Sequence, residues 1–219
     1  MKKRQVIIAS AAIIILLTWI VWGILVFGEH RVTGKATSVA TIGLIVIGDL
    51  QPLNLTNGWN FVSFYVQFNN YSVTNVLAPI DGYYDYIQEW DSDAQDFKIW
   101  SRLGLKEFTE FNKNKSYFIY MNTNQLITLN GVFFQNWTIN LSSGWETPNY
   151  IFNYPTNITG AGANEFANIT FNYMQKWNAS NQDFLIYSPV SLDNSFNYVN
   201  ESEGYFILTD GGQLVYIHN

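Results

Sequence analysis

The densest chemistry in this chain is a run of four carboxylates, Glu89, Asp91, Asp93 and Asp96, at nearly alternate positions. Oxygen ligands spaced this way are how a loop wraps Ca²⁺. The turn glycine of an EF-hand loop and its distal bidentate glutamate are both missing, so a polar hairpin turn between Trp90 and Trp100 accounts for the same residues. Calcium at these four residues is the one cofactor the sequence admits. Catalysis has less to work with. The two histidines are His30, close to an apolar N-terminal run, and His218, the penultimate residue. Carboxylate pairs such as Asp85 with Glu89, or Asp81 with Asp93, suit glycoside hydrolysis only at a fixed separation, which sequence spacing does not set. There is no Gly-x-Ser-x-Gly elbow, phosphate loop or His-Glu-x-x-His run. The absence of cysteine excludes disulfides, thiolate metal sites and cysteine nucleophiles together. The chain reads as a non-enzyme.

Sugar binding is the remaining site chemistry, because indole and phenol faces stack on sugar rings. Trp59, Trp90, Trp145 and Trp177 recur at matched positions of an internal duplication and read as rings of a shared core. The unmatched rings carry the hypothesis: Trp100, whose counterpart is Tyr187, together with Tyr71, Tyr83, Tyr84 and Tyr150 near expected loops. Trp137 falls between the copies.

The elements that must position these residues come in two copies. Tyr86-Ile87-Gln88-Glu89-Trp90 through Gln95-Asp96-Phe97 returns as Tyr173-Met174-Gln175-Lys176-Trp177 through Gln182-Asp183-Phe184, a spacing of about 87 residues. Each copy opens with Leu-x-x-Gly-Trp (Leu55 to Trp59, Leu141 to Trp145) and closes on Tyr-Phe-Ile (Tyr117 to Ile119, Tyr205 to Ile207) followed by Gln-Leu. Alternation predicts a strand over Asn60 to Phe68 with Val62, Phe64, Val66 and Phe68 toward the core. Ser72 to Ile80 reads as a short helix capped by Ser72 and limited to about two turns by Pro79. Strands follow at Tyr84 to Asp91, Phe97 to Arg102, Ser116 to Met121 and Gln125 to Leu129. Copy two repeats the plan, with the glycine-rich Thr159 to Ala167 as a weaker helix or a single turn. The expected fold is α+β and β-dominated: an N-terminal transmembrane helix, then two tandem antiparallel-sheet repeats, each with one short helix.

Location is read from the N-terminus. Lys2-Lys3-Arg4 precede a run from Val6 to Phe27 interrupted only by Ser10, Thr18 and Gly23. As a helix that run is about 33 Å long, enough for a hydrocarbon core of roughly 30 Å. A signal peptide has a shorter apolar region ending at a small-x-small site, and none follows Phe27. The basic stub at 1–5 therefore stays inside, 6–27 anchors in the bilayer, and the rest faces outward. A polar linker (28–38), an extra strand (39–49), repeat 1 (50–131) and repeat 2 (132–219) complete the division. The same basic-then-apolar layout is found at archaeal pilin N-termini, where processing follows Gly or Ala; here Arg4 holds that place.

Beyond the span lie 8 basic against 17 acidic residues, which argues against nucleic-acid binding. Aromatics at 17% against 13% charged residues mark a folded, strand-rich domain. Nine Asn-x-Ser/Thr sequons, at Asn54, Asn70, Asn114, Asn136, Asn140, Asn157, Asn168, Asn178 and Asn200, exceed the roughly three that chance supplies and fit an N-glycosylated exterior. An Asn/Ser/Thr-rich turn composition produces such triplets as well.

The pattern Leu-x-x-Gly-Trp-Asn (Leu55 to Asn60), short helix, Trp-Asp hairpin (Trp90-Asp91), Gly/Ser-Tyr-Phe-Ile (from Ser116 and Gly204) and a final Leu strand resembles a tandem module of secreted and membrane-anchored surface proteins of archaea and bacteria. The junction Thr33-Gly34-Lys35-Ala36-Thr37-Ser38 likewise resembles small archaeal envelope proteins. This resemblance implies a surface location and a noncatalytic role; the whole sequence is read as a structural or adhesive module, with other envelope proteins or surface glycans as partners. Copy two departs from it at Glu146 where copy one has Asn60, and copy one at Ser116 where copy two has Gly204.

Overall fold

The computed structural model describes residues 48–158, 166, 169–191 and 193–217. The anchor at 6–27, the linker, most of the 39–49 strand, His30, His218, Asn168 and nearly all of the 159–167 helix slot lie outside these residues. No helix among the described residues is long and apolar enough to cross a membrane.

Copy one is built from β1 (Asp49–Leu55), β2 (Gly58–Val62), β3 (Val66–Gln67), the single-turn helix α1 (Val73–Val76) with a 3-10 turn (Ala78–Ile80), β4 (Tyr84–Asp91), β5 (Asp96–Ser101), β6 (Tyr117–Met121) and β7 (Gln125–Phe133). Its strands form two antiparallel sheets, in the orders β2-β6-β4-β5 and β1-β7-β3. Copy two comprises β8 (Trp137–Leu141), β9 (Gly144–Glu146), β10 (Thr156–Asn157), β11 (Ile169–Asn178), β12 (Asp183–Tyr187), β13 (Tyr198–Val199) and β14 (Tyr205–Tyr216). Here the order is β12-β11-β14-β8, with β9 also on β14, while β10 and β13 form a separate pair. The long β14 does the work of β6 and β7 together. Copy one breaks that strand at Asn122–Asn124, where Asn57 donates its Nδ2 to the Asn122 carbonyl and its backbone N–H to Asn124 Oδ1. Copy two passes through the same point on Gly211 and Gly212, both at positive φ, with Thr209 Oγ1 accepting the Gly211 N–H.

The expected Asn60 to Phe68 strand is split in two. Val62, Phe64 and Val66 do face the copy-one core, but Phe61, Ser63 and Tyr65 are buried as well. Side chains replace the ladder between the halves: the Phe64 N–H donates to Asn149 Oδ1 at 2.7 Å and the Tyr65 N–H to Gln51 Oε1 at 2.9 Å. Alternation cannot register such a break, because it depends on buried amides far away in sequence. Ser72 does precede the helix, but it caps through its carbonyl, which accepts the Asn75 and Val76 N–H groups, and not through its hydroxyl. The β1 strand was not expected from sequence; Pro52 sits within it, and Gln51, Leu53 and Leu55 are buried on alternate positions.

Each copy has its own apolar core. Val62, Phe64, Val73, Leu77, Ile80, Ile87, Tyr117 and Ile119 lie at the heart of the first, and Ile139, Tyr150, Met174, Tyr205, Ile207 and Leu214 at that of the second. A third cluster lies between the copies: Phe61, Phe118 and Phe206, flanked by Trp59, Trp90, Phe97, Trp145 and Trp177. Phe61 and Phe118 are stacked with centroids 4.2 Å apart, and Phe206 tilts onto Phe61 at 5.2 Å. Burying each of these phenylalanines is worth about 1.5–3 kcal/mol. The four matched tryptophans therefore line a core that the repeats share, at the seam between them.

Candidate functional site

The seam is held by reciprocal contacts from matched residues. Trp90 of copy one donates its indole N–H to the Trp145 carbonyl at 2.7 Å, and Trp177 of copy two donates to the Trp59 carbonyl at 2.8 Å. Gln95 clamps the same Trp145 backbone from both sides: its Oε1 accepts the N–H at 3.0 Å and its Nε2 donates to the carbonyl at 3.1 Å. Gln182 treats Trp59 identically, at 2.8 and 3.0 Å. Both glutamines occupy the left-handed region, at φ 54° and 55°, where the hairpin turn aims the side chain across the seam. A Cβ on Gly58 would come within 2.7 Å of the Gln182 amide, and one on Gly144 within 3.0 Å of Gln95, with both glycines at positive φ. This is why Gly precedes Trp in each copy. The glutamines were visible in sequence only as repeat markers; the signal was an uncharged amide retained at an exposed hairpin turn.

Backbone pairing reinforces the seam. Gly204 and Ser63 donate to the carbonyls of Phe61 and Ser202, and at the matched places Ser116 and Asn149 donate to those of Thr147 and Asn114. The two sequence departures between the copies find their reasons here. Gly204 meets Phe61, and a Cβ there would lie 2.6 Å from the ring, whereas Ser116 meets the smaller Thr147. Asn60 and Glu146 perform one task, since Thr56 donates its N–H to Asn60 Oδ1 and Ser142 donates its N–H to Glu146 Oε1, both at 2.8 Å.

Two grooves open along the seam, each between the β1–β2 or β8–β9 corner of one copy and the hairpin tip of the other. The first, about 620 Å³, is lined by Asn54, Leu55, Asn60, Trp177, Ala179 and Glu203 among others. The second, about 220 Å³, is lined by the matching Asn140, Leu141, Glu146, Ser92 and Lys115. Ser92 donates its hydroxyl to Glu146 Oε2 across the second groove. The first has Ala179 and Asn60 at those places, and Ala179 has no hydroxyl to donate. At the back of each groove an ion pair supports a buried tyrosine hydroxyl, with the charges exchanged. In copy one Lys115 Nζ lies 3.4 Å from Glu89, which accepts the Tyr117 hydroxyl at 3.0 Å. In copy two the cation is Lys176 and the carboxylate Glu203, 3.0 Å apart, and Glu203 accepts the Tyr205 hydroxyl at 2.6 Å. Burial, and then the adjacent carboxylate, raise both tyrosines well above the usual phenol range.

The expected calcium residues do not converge. Glu89 is buried against Lys115 and Tyr117. Asp91 pairs with Lys98 at 2.7 Å and caps the hairpin by accepting the Asp93 and Ala94 N–H groups; these contacts, led by the Lys98 hydrogen bond, lower its carboxyl to about 2. Asp96 accepts the Phe97 N–H, and Asp93 is exposed at the tip. In copy two Asn178 caps the same turn by accepting from Ser180 and Asn181. Among the described residues no group of three or more His, Asp or Glu is placed to hold a metal. The aromatic candidates are dispersed too. Trp100 (3% exposed) lies tilted against Tyr84 (1%) in the first core, and Tyr150 (1%) lies in the second, its hydroxyl donating to the Tyr154 carbonyl. These three present no face to a sugar. Tyr71 is half-buried against Phe68, and only Tyr83 is exposed. Of the sequon asparagines, Asn54, Asn70, Asn136, Asn140 and Asn157 are exposed, while Asn114, Asn178 and Asn200 are half-buried.

No protein-family model, no curated protein and no solved structure matches this chain. The fold and seam define it as a β-rich tandem module of antiparallel sheets.

Proposed function

We propose that this chain is a membrane-anchored envelope protein whose outward-facing tandem module acts as a structural or adhesive, protein-binding unit at the cell surface. The observation that carries the proposal is the reciprocal Trp–Gln seam, which makes two repeats one rigid body and uses up the matched aromatic rings in doing so. A rigid spacer needs that construction; a catalytic cleft does not. The basic-then-apolar N-terminus, the nine sequons and the resemblance to archaeal and bacterial surface modules support the exterior placement. Protease shaving of intact cells tests the placement, and sedimentation of the detergent-solubilised full chain tests self-association. Loss of the repeats from shaved cells with a retained N-terminal stub is the expected result. Full protection from the protease overturns the reading. A pilus subunit would instead yield a processed N-terminus in mature filaments.

A further inference from the structure

The grooves carry sequons on their walls, and these differ in what they can accept. Asn54 and Asn140 hold the same position in the two copies, each followed by Leu and a hydroxyl residue, and each exposed on the strand that borders its groove. Asn140 lies at the latched groove, where its Oδ1 accepts from Gln213 at 2.8 Å. Asn54 lies at the open one. The other sequons on these walls are half-buried with their amides in structural use: Asn114 Oδ1 accepts the Trp137 indole N–H, and Asn178 Oδ1 caps its hairpin.

We infer that Asn54 carries an N-linked glycan whose first sugars occupy the open groove against Trp177. The inference rests on the outward placement proposed above. A volume of about 620 Å³ falls within the roughly 300–1,000 Å³ of small-molecule sites. The lining has the two-sided chemistry of a pyranose: Trp177, Leu126 and Leu185 offer apolar surface, while Asn178, Ser180 and Ser202 offer amide and hydroxyl groups. Lys176 pairs with Glu203, and the further carboxylate of Glu201 disfavours an anion, so the groove suits an uncharged, hydroxyl-rich occupant. In the modification, Asn54 Nδ2 bonds to the anomeric carbon of a lipid-phosphate-linked oligosaccharide. The anomeric C–O bond to phosphate breaks with its electron pair going to the lipid phosphate, and the amide proton passes to the base of the transferase. Nothing is oxidised or reduced.

The test is glycopeptide mass spectrometry and hydrogen exchange on the full-length protein purified from its own membranes in detergent. Asn54 is expected to be occupied and Asn178 unmodified. Asn54→Gln should remove one glycan mass and raise exchange several-fold in the Trp177 to Gln182 hairpin, whereas Thr56→Ser keeps the sequon and should change neither. Asn140→Gln should leave the Asp91 to Asp96 hairpin unchanged, because Ser92 still bonds Glu146 there. Every sequon unmodified would overturn this inference, while the exterior placement stands or falls with the shaving result. An empty Asn54 beside other occupied sequons would overturn the inference alone. An occupied Asn54 with unchanged hairpin exchange in Asn54→Gln would put the glycan in solvent and overturn its seating.

Discussion

The two grooves are one construction made twice, yet one encloses about 620 Å³ and the other about 220 Å³. Their corners and hairpin tips match, but Leu126, Trp177 and Leu185 line only the larger. One difference at their mouths is a hydroxyl and a carboxylate, Ser92 and Glu146, that meet across the smaller groove where the larger has Ala179 and Asn60. Behind them the ion pairs have exchanged sign while the tyrosines they support have not changed at all. A duplicated protein thus tolerates charge reversal where both partners move together. The load on each residue is set by what it meets in the other copy.

That comparison can be broken at several depths. The deepest is the seam: Phe118→Ala and Phe206→Ala remove central rings, and each should lower stability by about 3–5 kcal/mol in denaturant unfolding. Independent repeats would instead show two transitions, with one of them unmoved. The exchanged pairs come next. Glu89→Lys alone leaves two cations together and removes the carboxylate acceptor of the Tyr117 hydroxyl, at a cost of about 3 kcal/mol. Adding Lys115→Glu reproduces the copy-two arrangement and should restore most of that loss in the same unfolding assay. No recovery would mean that the copies are not equivalent behind their grooves. Gly58→Ala meets both positive φ and the Gln182 amide, and should cost about 1–3 kcal/mol, with Gly144→Ala close behind. Ser92→Ala deletes the latch for about 1 kcal/mol, and its crystal structure should show the second groove widened toward the first.

The smallest effect concerns acid. The folded pKa of Asp91 lies below its unfolded value of 3.8, so its contribution is complete above that value and is lost as pH falls toward about 2. The pair is on the surface, so the loss should be about 0.2–1 kcal/mol. Between pH 5 and 2, NMR shifts of the Asp93 and Ala94 amides, which donate to the Asp91 carboxylate, should move, and those of Ser180 and Asn181, which donate to the Asn178 amide oxygen, should move less. Equal movement of both turns would trace the response to something the copies share.

Much of the frame could be read along the chain. The Tyr84 to Asp91 strand, the hairpin after it and the Tyr117 to Met121 strand follow from local alternation and turn chemistry, which act between neighbouring residues. The break at Ser63–Tyr65 could not be read, because its amides are satisfied by Gln51 and Asn149. The site residues chosen for their isolation, Trp100, Tyr84 and Tyr150, turned out to be buried because aromatic type specifies apolar area and not direction. Gln95 and Gln182 recur at matching hairpin turns, but what they grip is not legible locally, since their partners are 50 and 123 residues away.

By itself the sequence determined that there are two copies, that they are β-dominated, and which residues recur, because period and turn preference are properties of adjacent residues. Only the tertiary structure decided what the recurrence is for. Trp59, Trp90, Trp145 and Trp177 are repeated because each copy grips the other, a contact between distant surfaces that no spacing encodes. The same holds for the grooves: Ser92 and Glu146 become a latch only when folding brings residues 54 positions apart within reach of one hydrogen bond.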